Sequence, residues 1–171
     1  MIIIKEINES QINLVIALDR ELSWELLDQN IKKQLGWNEF IKRHENVFKN
    51  LYKSSIGSQI ILGAFDDDTL IGYAWIELRL DTVSMLPTCF IIDIGVKQNY
   101  RKKGIGKQLI NKINEIAYKN NAKTISLLVD KKNKNAINFY KKAGFKITGY
   151  IMEKDLLIKN KYSKIINKKH E

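Results

Sequence analysis

Cysteine, proline and histidine are nearly missing from this chain of 171 residues, which has one Cys, one Pro and two His. The lone Cys89 has no partner for an internal disulfide. With His44 and His170 as the only imidazoles, no group of side chains has metal-ligand spacing, so no metal is expected. No apolar run approaches the ~18 residues of a membrane span. The N-terminal Met1-Ile2-Ile3-Ile4-Lys5-Glu6-Ile7 lacks a basic leader, a long apolar stretch and a small-residue cleavage site. The expectation is a soluble, cytoplasmic protein with no membrane partner. Internal repeats and low-complexity linkers are also absent, and a chain of this length with 44% hydrophobic residues suits one domain with a real core. We read 1–158 as that domain and 159–171 as a basic C-terminal tail.

Acidic charge is scarce relative to basic: 29 Lys and Arg against 19 Asp and Glu give a net charge of +10. Five lysines from Lys159 onward against Glu171 place +4 of this in the tail, a solvated end by its composition. The rest concentrates in Lys97, Arg101, Lys102, Lys103 and Lys107, then in Lys131, Lys132, Lys134, Lys141 and Lys142. Nucleic acid is not the expected partner, because neither interleaved aromatics nor a recognition helix accompanies these cations.

Periodicity divides the chain into elements. Ile2 to Ile7 reads as a strand, and Ser10 as the cap of a helix with Ile12, Val15, Ile16, Leu18 and Leu22 on one face. Ser23 to Gly36 reads as a loop or a broken helix. A helix follows from about Trp37 to Tyr52, with Phe40, Ile41, Val47, Phe48 and Leu51 as its apolar stripe. Ile60 to Phe65 and Leu70 to Leu80 form a hairpin around Asp66-Asp67-Asp68-Thr69, and Phe90 to Val96 is a further strand. A helix from Ile105 and a strand from Thr124 to Val129 complete a right-handed crossover that makes a parallel pair. A helix around Asn135 to Ala143 and two strands around Phe145 to Ile158 close the order β-α-α-β-β-β-α-β-α-β-β. The fold class is α/β: a mixed, largely antiparallel sheet with a central parallel pair, flanked by helices. Edge strands near the C-terminus are compatible with a homodimer.

Arg101-Lys102-Lys103-Gly104-Ile105-Gly106 joins the Val96 strand to a helix start, the geometry of a phosphate cradle. A P-loop would need glycine at Arg101 and Ser or Thr at Gln108, and a dinucleotide fingerprint a third glycine at Leu109. Neither pattern fits. What remains is Arg-x-x-Gly-x-Gly, in which N–H groups of Gly104, Ile105 and Gly106 could converge on a diphosphate among Arg101, Lys102, Lys103 and Lys107. Taken alone, the six residues fit a solvated turn equally well. Asn133 to Phe145 then has a helix cap at its start, Phe139-Tyr140 in its middle and Gly144 at its stop.

The two segments together resemble the GNAT superfamily of acetyl-CoA-dependent N-acetyltransferases, which pair Gln/Arg-x-x-Gly-x-Gly/Ala with a later Asn-x-x-Ala-x-x-Phe/Tyr-Tyr-x-Lys-x-Gly-Phe. The match is specific from about Phe90 to Phe145, and the N-terminal third carries no motif. The resemblance implies that Arg101 through Lys107 hold the CoA pyrophosphate, that Ile94-Gly95-Val96 offers backbone groups to the pantetheine arm, that Asn133 lies near the thiol end, and that Tyr140 protonates the departing thiolate. Many relatives carry a carboxylate where this chain has Ile92. Asp93 is displaced by one residue and faces the cleft only if the strand bulges. Leu128 departs from the glutamate of the ribosomal-protein N-terminal acetyltransferases.

A lysine-like amine with a pKa of about 10.4 is neutral only about once in 2,500 molecules at pH 7, so it needs a proton acceptor. Asp93 and Glu77 are the candidates, with water as the third. An N–H near Val96 suits the oxyanion, and Tyr140 suits the general acid. Ser23 to Gly36 and the loop from Asp81 to Thr88 would select the amine, with Trp24, Glu25, Asp28, Trp37 and Met85 at the mouth and Glu21 adding acidity. The reading is an N-acetyltransferase by direct transfer, with acetyl-CoA and a small-molecule or protein amine as partners. The alternative is a non-catalytic CoA-binding regulatory or nucleic-acid-associated module.

Overall fold

A computed structural model describes residues 1–55 and 57–154 of the chain; the expected tail, 159–171, lies outside them. Strand β1 (Ile2–Glu6) is followed by a 3-10 turn (Glu9–Gln11) and helices α1 (Ile12–Leu26), α2 (Gln29–Leu35) and α3 (Trp37–Lys53). Strands β2 (Ser58–Asp66), β3 (Thr69–Leu80) and β4 (Pro87–Val96) come next, then α4 (Ile105–Lys119), β5 (Thr124–Leu127) and α5 (Lys134–Lys142). The five strands lie in sequence order, antiparallel except for the parallel pair β4 and β5. This is the expected α/β layering.

Two local expectations change, and one left open between two alternatives is resolved. Asn8, not Ser10, starts the first helical segment: its side chain and that of Gln11 exchange hydrogen bonds with backbone, and Ser10 Oγ donates to Asn8 Oδ1 at 2.6 Å. Ser23–Gly36 is a broken helix, with α1 running to Leu26 and Asp28 capping α2 by accepting from Asn30 N–H at 2.8 Å. The two closing strands do not form over Phe145–Lys154, and the remainder of that stretch lies outside the described residues. Ile147, Tyr150 and Met152 are largely exposed, so this segment has no buried face to stabilise pairing.

The sheet separates two cores. On one face Ile105, Leu109, Ile110, Ile113 and Ala117 of α4 pack on Leu62, Ala64, Ile71, Ala74, Ile76, Cys89 and Ile91. On the other, Val15, Ile16, Leu18 and Leu22 of α1 and Phe48 of α3 cover Ile61, Phe65, Leu70, Tyr73 and Trp75. Burial pushes the Cys89 thiol up to about 11, which leaves it a small apolar strand residue. Among the described residues no helix is long and apolar enough to cross a membrane.

The apolar stripe expected on α3 divides. Phe48 is buried against Trp75, ring centroids 4.6 Å apart, whereas Val47 is 57% exposed. Phe48→Ala is expected to cost about 3–5 kcal/mol in urea unfolding and Val47→Ala no more than about 0.5 kcal/mol. Equal losses would contradict this division.

Candidate functional site

One irregularity builds the site. Trp75 pairs with Asp93 and Ile76 with Ile91, so Ile92 is an extra residue in β4. Such a bulge reverses the alternation of side chains beyond it. Ile92 packs against the α1/α3 core, and Asp93 points to that side too. At the same place β5 stops accompanying β4: their ladder runs from Thr88 paired with Thr124 to Ile91 paired with Leu127, while β4 continues to Val96. A cleft therefore opens along the last residues of β4. Lys97 N–H bonds Ile71 C=O on the β3 side at 2.9 Å, so strand alternation aims Val96 N–H at the cleft. Ile94 N–H, on the same edge, donates to Asp93 Oδ1 at 2.7 Å.

Asp93 lies in a buried polar group that sequence reasoning missed. The Tyr73 hydroxyl on β3 touches Asp93 Oδ2 and, at 2.7 Å, Asp19 Oδ1 on α1. His44 Nε2 on α3 lies 3.1 Å from Asp19 Oδ2, and Ser23 Oγ donates to Asp19 Oδ1 at 3.2 Å. Burial, reinforced by the Asp19 charge, raises the Asp93 carboxyl to about 6. Burial works in the same direction on Asp19, but hydrogen bonds from His44 and Tyr73 overcome it and hold that carboxyl below its ordinary value. Tyr73 is pushed well above the ordinary phenol, first by burial and then by the Asp93 and Asp19 charges.

The glycine turn stands at the mouth. Gly104 has a φ of 82° and caps α4 without any side chain on the helix N–H groups. Left-handed backbone suits glycine, and among the described residues nothing lies within 4 Å of where its Cβ would be, so the turn is open on that side; the first N–H groups of α4 have no partner within the helix itself. Gly106 is small for another reason: an added Cβ would come within 3.2 Å of Phe139 on α5. The cations differ in engagement. Arg101 donates from Nε to Val96 C=O at 2.9 Å and pairs with Glu25 at 2.8 Å, tying the turn to β4 and α1. Lys103 sits 4.9 Å from the Tyr100 ring centroid. Lys102, with a φ of 64°, shapes the turn beside Gly104. An uncapped helix start, an open cradle and surrounding cations fit a diphosphate.

Helix α5 brings the remaining residues. Asn133 caps it by accepting from Ala136 N–H at 3.0 Å. Tyr140 is wedged between Phe139 and Phe145, ring centroids 5.3 and 5.6 Å away. Burial, with a contribution from the Asp93 charge, pushes its phenol up to about 12, so Tyr140 stays protonated within reach of Asp93's field.

Glu77 is set apart from this group. Its carboxylate is 5% exposed for the whole residue and fully engaged, accepting from Ser55 Oγ and Gly57 N–H on one oxygen and from Arg79 at 2.9 Å on the other. The turn after Leu80, with Met85 65% exposed, precedes β4 at Pro87, the end opposite the glycine turn. Trp24 and Trp37 form an aromatic cluster with Phe40 beside His44. Asp19 and His44 did leave a signal: each occupies an apolar-stripe position, Asp19 among Val15, Leu18 and Leu22, His44 between Phe40 and Phe48.

A bulged strand parts from its parallel neighbour beside an uncapped helix start ringed by cations, which makes a cleft with an anion-compatible mouth. The Acetyltransferase (GNAT) family model matches residues 24–145, and the chain belongs to this family. It is similar to a spermidine N(1)-acetyltransferase of Thermoplasma acidophilum, 28% identical over 160 residues that cover 88% of this chain and 95% of that protein. Among solved structures, a Pyrococcus furiosus protein provisionally described as an acetyl transferase superposes with a TM-score of 0.80 at 32% identity, covering 91% of this chain and all of that one. The aminoglycoside N-acetyltransferase AAC(6')-Iy in complex with CoA shares the fold, with a TM-score of 0.65 at 17% identity over 92% of this chain and 96% of that one. The chain is an acetyl-CoA-dependent N-acetyltransferase acting on amines.

The raised Asp93 carboxyl has a consequence for stability. At about 6 when folded against about 3.9 unfolded, it binds its proton more tightly in the native state. Its stabilising contribution is complete below pH ~4 and is lost as pH rises through ~6, leaving a cost on the order of 2 kcal/mol at pH 7. In urea unfolding, Asp93→Asn is expected to be more stable than the parent at pH 7 and no more stable near pH 4. A variant that is less stable at pH 7 would contradict the buried charge.

Proposed function

We propose direct acetyl transfer from acetyl-CoA to a primary amine, with Asp93 as general base and Tyr140 as general acid. The observation that carries this reading is the Ile92 bulge, which turns Asp93 toward the α1/α3 side where the strands part. The Asp93 carboxyl, at about 6, is ionised at neutral pH yet more basic than an ordinary carboxylate. Asp93 takes one N–H proton from the amine as the nitrogen bonds the thioester carbon. Val96 N–H faces the cleft and stabilises the carbonyl oxygen as charge develops. Tyr140 gives its O–H proton to sulfur as the C–S bond breaks, and solvent restores both groups. Glu77, held by Ser55, Gly57 and Arg79, acts as a strut.

In this reading Arg101, Lys102, Lys103, Gly104, Ile105, Gly106 and Lys107 hold the pyrophosphate, Ile94, Gly95 and Val96 run beside the pantetheine, and Asn133 and Tyr140 flank the thiol end. Residues 1–158 act as one N-acetyltransferase domain, with 159–171 as a tail. The acceptor is a small polycationic amine. Its support is the similarity to the spermidine enzyme, the acidic Glu21, Glu25 and Asp28, and the Trp24 ring. Lys32 Nζ lies 5.7 Å from that ring, an ammonium of the chain itself in the place a polyamine would use.

Two variants test these roles. Tyr140→Phe is expected to lower kcat for CoA release with spermidine by about 10²–10⁴-fold with little change in CoA affinity; undiminished turnover would remove the general-acid role. Gly104→Val is expected to abolish CoA binding in calorimetry while circular dichroism stays that of the parent. Unchanged affinity would refute the cradle.

A further inference from the structure

Behind Asp93 the hydrogen bonds outnumber the hydrogens. The Tyr73 oxygen contacts both Asp19 Oδ1, at 2.7 Å, and Asp93 Oδ2, but a phenol has one hydrogen and serves one carboxylate at a time. The second contact closes only when one of the two acids carries a proton. Asp19 is the one held ionised, by His44 Nε2 at 3.1 Å and Ser23 Oγ at 3.2 Å. The added proton therefore belongs to Asp93. His44 is fixed between this group and Phe40, its side chain 10% exposed and its Nδ1 buried without a partner among the described residues.

We propose that Asp19, pinned by His44, and Tyr73 are positioning residues for acetyl transfer, forming a bridge that Asp93 completes when it takes the amine's proton. In this step one N–H bond of the amine breaks and one O–H bond forms on Asp93. The new hydrogen is donated to the Tyr73 oxygen, and the Tyr73 hydrogen turns from Asp93 to Asp19 without leaving its oxygen. When Asp93 releases the proton to the cleft, Tyr73 turns back. The ionisable groups facing the bridge are Asp19 from α1, His44 from α3, Tyr73 from β3, Asp93 from β4 and Tyr140 from α5, with Arg20 and Glu45 next to His44 at the helix surface. The bridge rests on Asp93 being the base.

The two positioning residues act on Asp93 with opposite sign. The Asp19 charge favours the protonated Asp93, whereas the Tyr73 hydrogen bond favours the ionised form. In full-length protein with 13C-labelled aspartate, the Asp93 titration midpoint is expected to fall by about one pH unit in Asp19→Asn and to rise in Tyr73→Phe. The acidic limb of kcat/KM for spermidine should move with it in each variant. In both variants kcat is expected to fall about tenfold or more while KM for acetyl-CoA stays near the parent's. A merely structural role would not move the midpoint in opposite directions. If Asp19→Asn does not fold, the upward shift in Tyr73→Phe carries the test alone. Full turnover by Asp93→Asn would overturn the base assignment and the bridge with it. An essential Asp93 whose midpoint stays put in the folded variants would overturn the bridge alone.

Discussion

The extra residue at Ile92 is the constraint on which the rest of the site depends. Without it, Asp93 would alternate onto the α4 face among Ile91, Leu109 and Ile113, where a carboxylate finds no polar partner. With it, the carboxylate meets Tyr73 and, through it, Asp19 and His44. The same irregularity falls where β5 leaves β4, so the change in register that turns the Asp93 carboxylate toward Tyr73 lies beside the freed strand edge. The orientation of Asp93 and the opening of the cleft coincide in the backbone.

Holding that geometry falls to elements far apart in sequence. Arg101 links the glycine turn to the Val96 carbonyl and to Glu25 of α1. Phe139 closes on Gly106, so α5 is seated against the start of α4, and Tyr140 packs between Phe139 and Phe145. The buried polar group costs desolvation, offset by the hydrogen bonds among its members. It sits within the apolar wall made by Leu18, Leu22 and Trp75, which excludes the water that would otherwise level Asp93 to an ordinary carboxylate.

What could be read from the residue order was whatever depends on local backbone chemistry. Gly104 and Gly144 take left-handed conformations with φ of 82° and 92°, and Asn133 caps α5, so both motif segments were legible, as were the hairpin and the crossover. The side on which Asp93 stands was not, because it is set by pairing with β3, not by β4 itself. Glu77 stood as the second candidate after Asp93, and its contacts with Ser55, Gly57 and Arg79 set it apart. The stripe positions of Asp19 and His44 were visible, but what they meet was not: Asp19 bonds His44, 25 residues away, and Tyr73, 54 residues away. The closing strands were expected around Phe145 to Ile158, and Phe145–Lys154 forms none.

The central claim is that the parting of β4 from β5, with the glycine turn at its mouth and Asp93 behind it, is where acyl transfer occurs. Amide hydrogen exchange with and without CoA tests this most directly. The account predicts slowed exchange at Val96 and at Gly104 to Lys107, with Asp19 and Tyr73 amides unaffected. Protection confined instead to the hollow of about 470 Å³ formed by Gly57, Leu78, Arg79, Pro87 and Asn120 at the other end of β4 would contradict it.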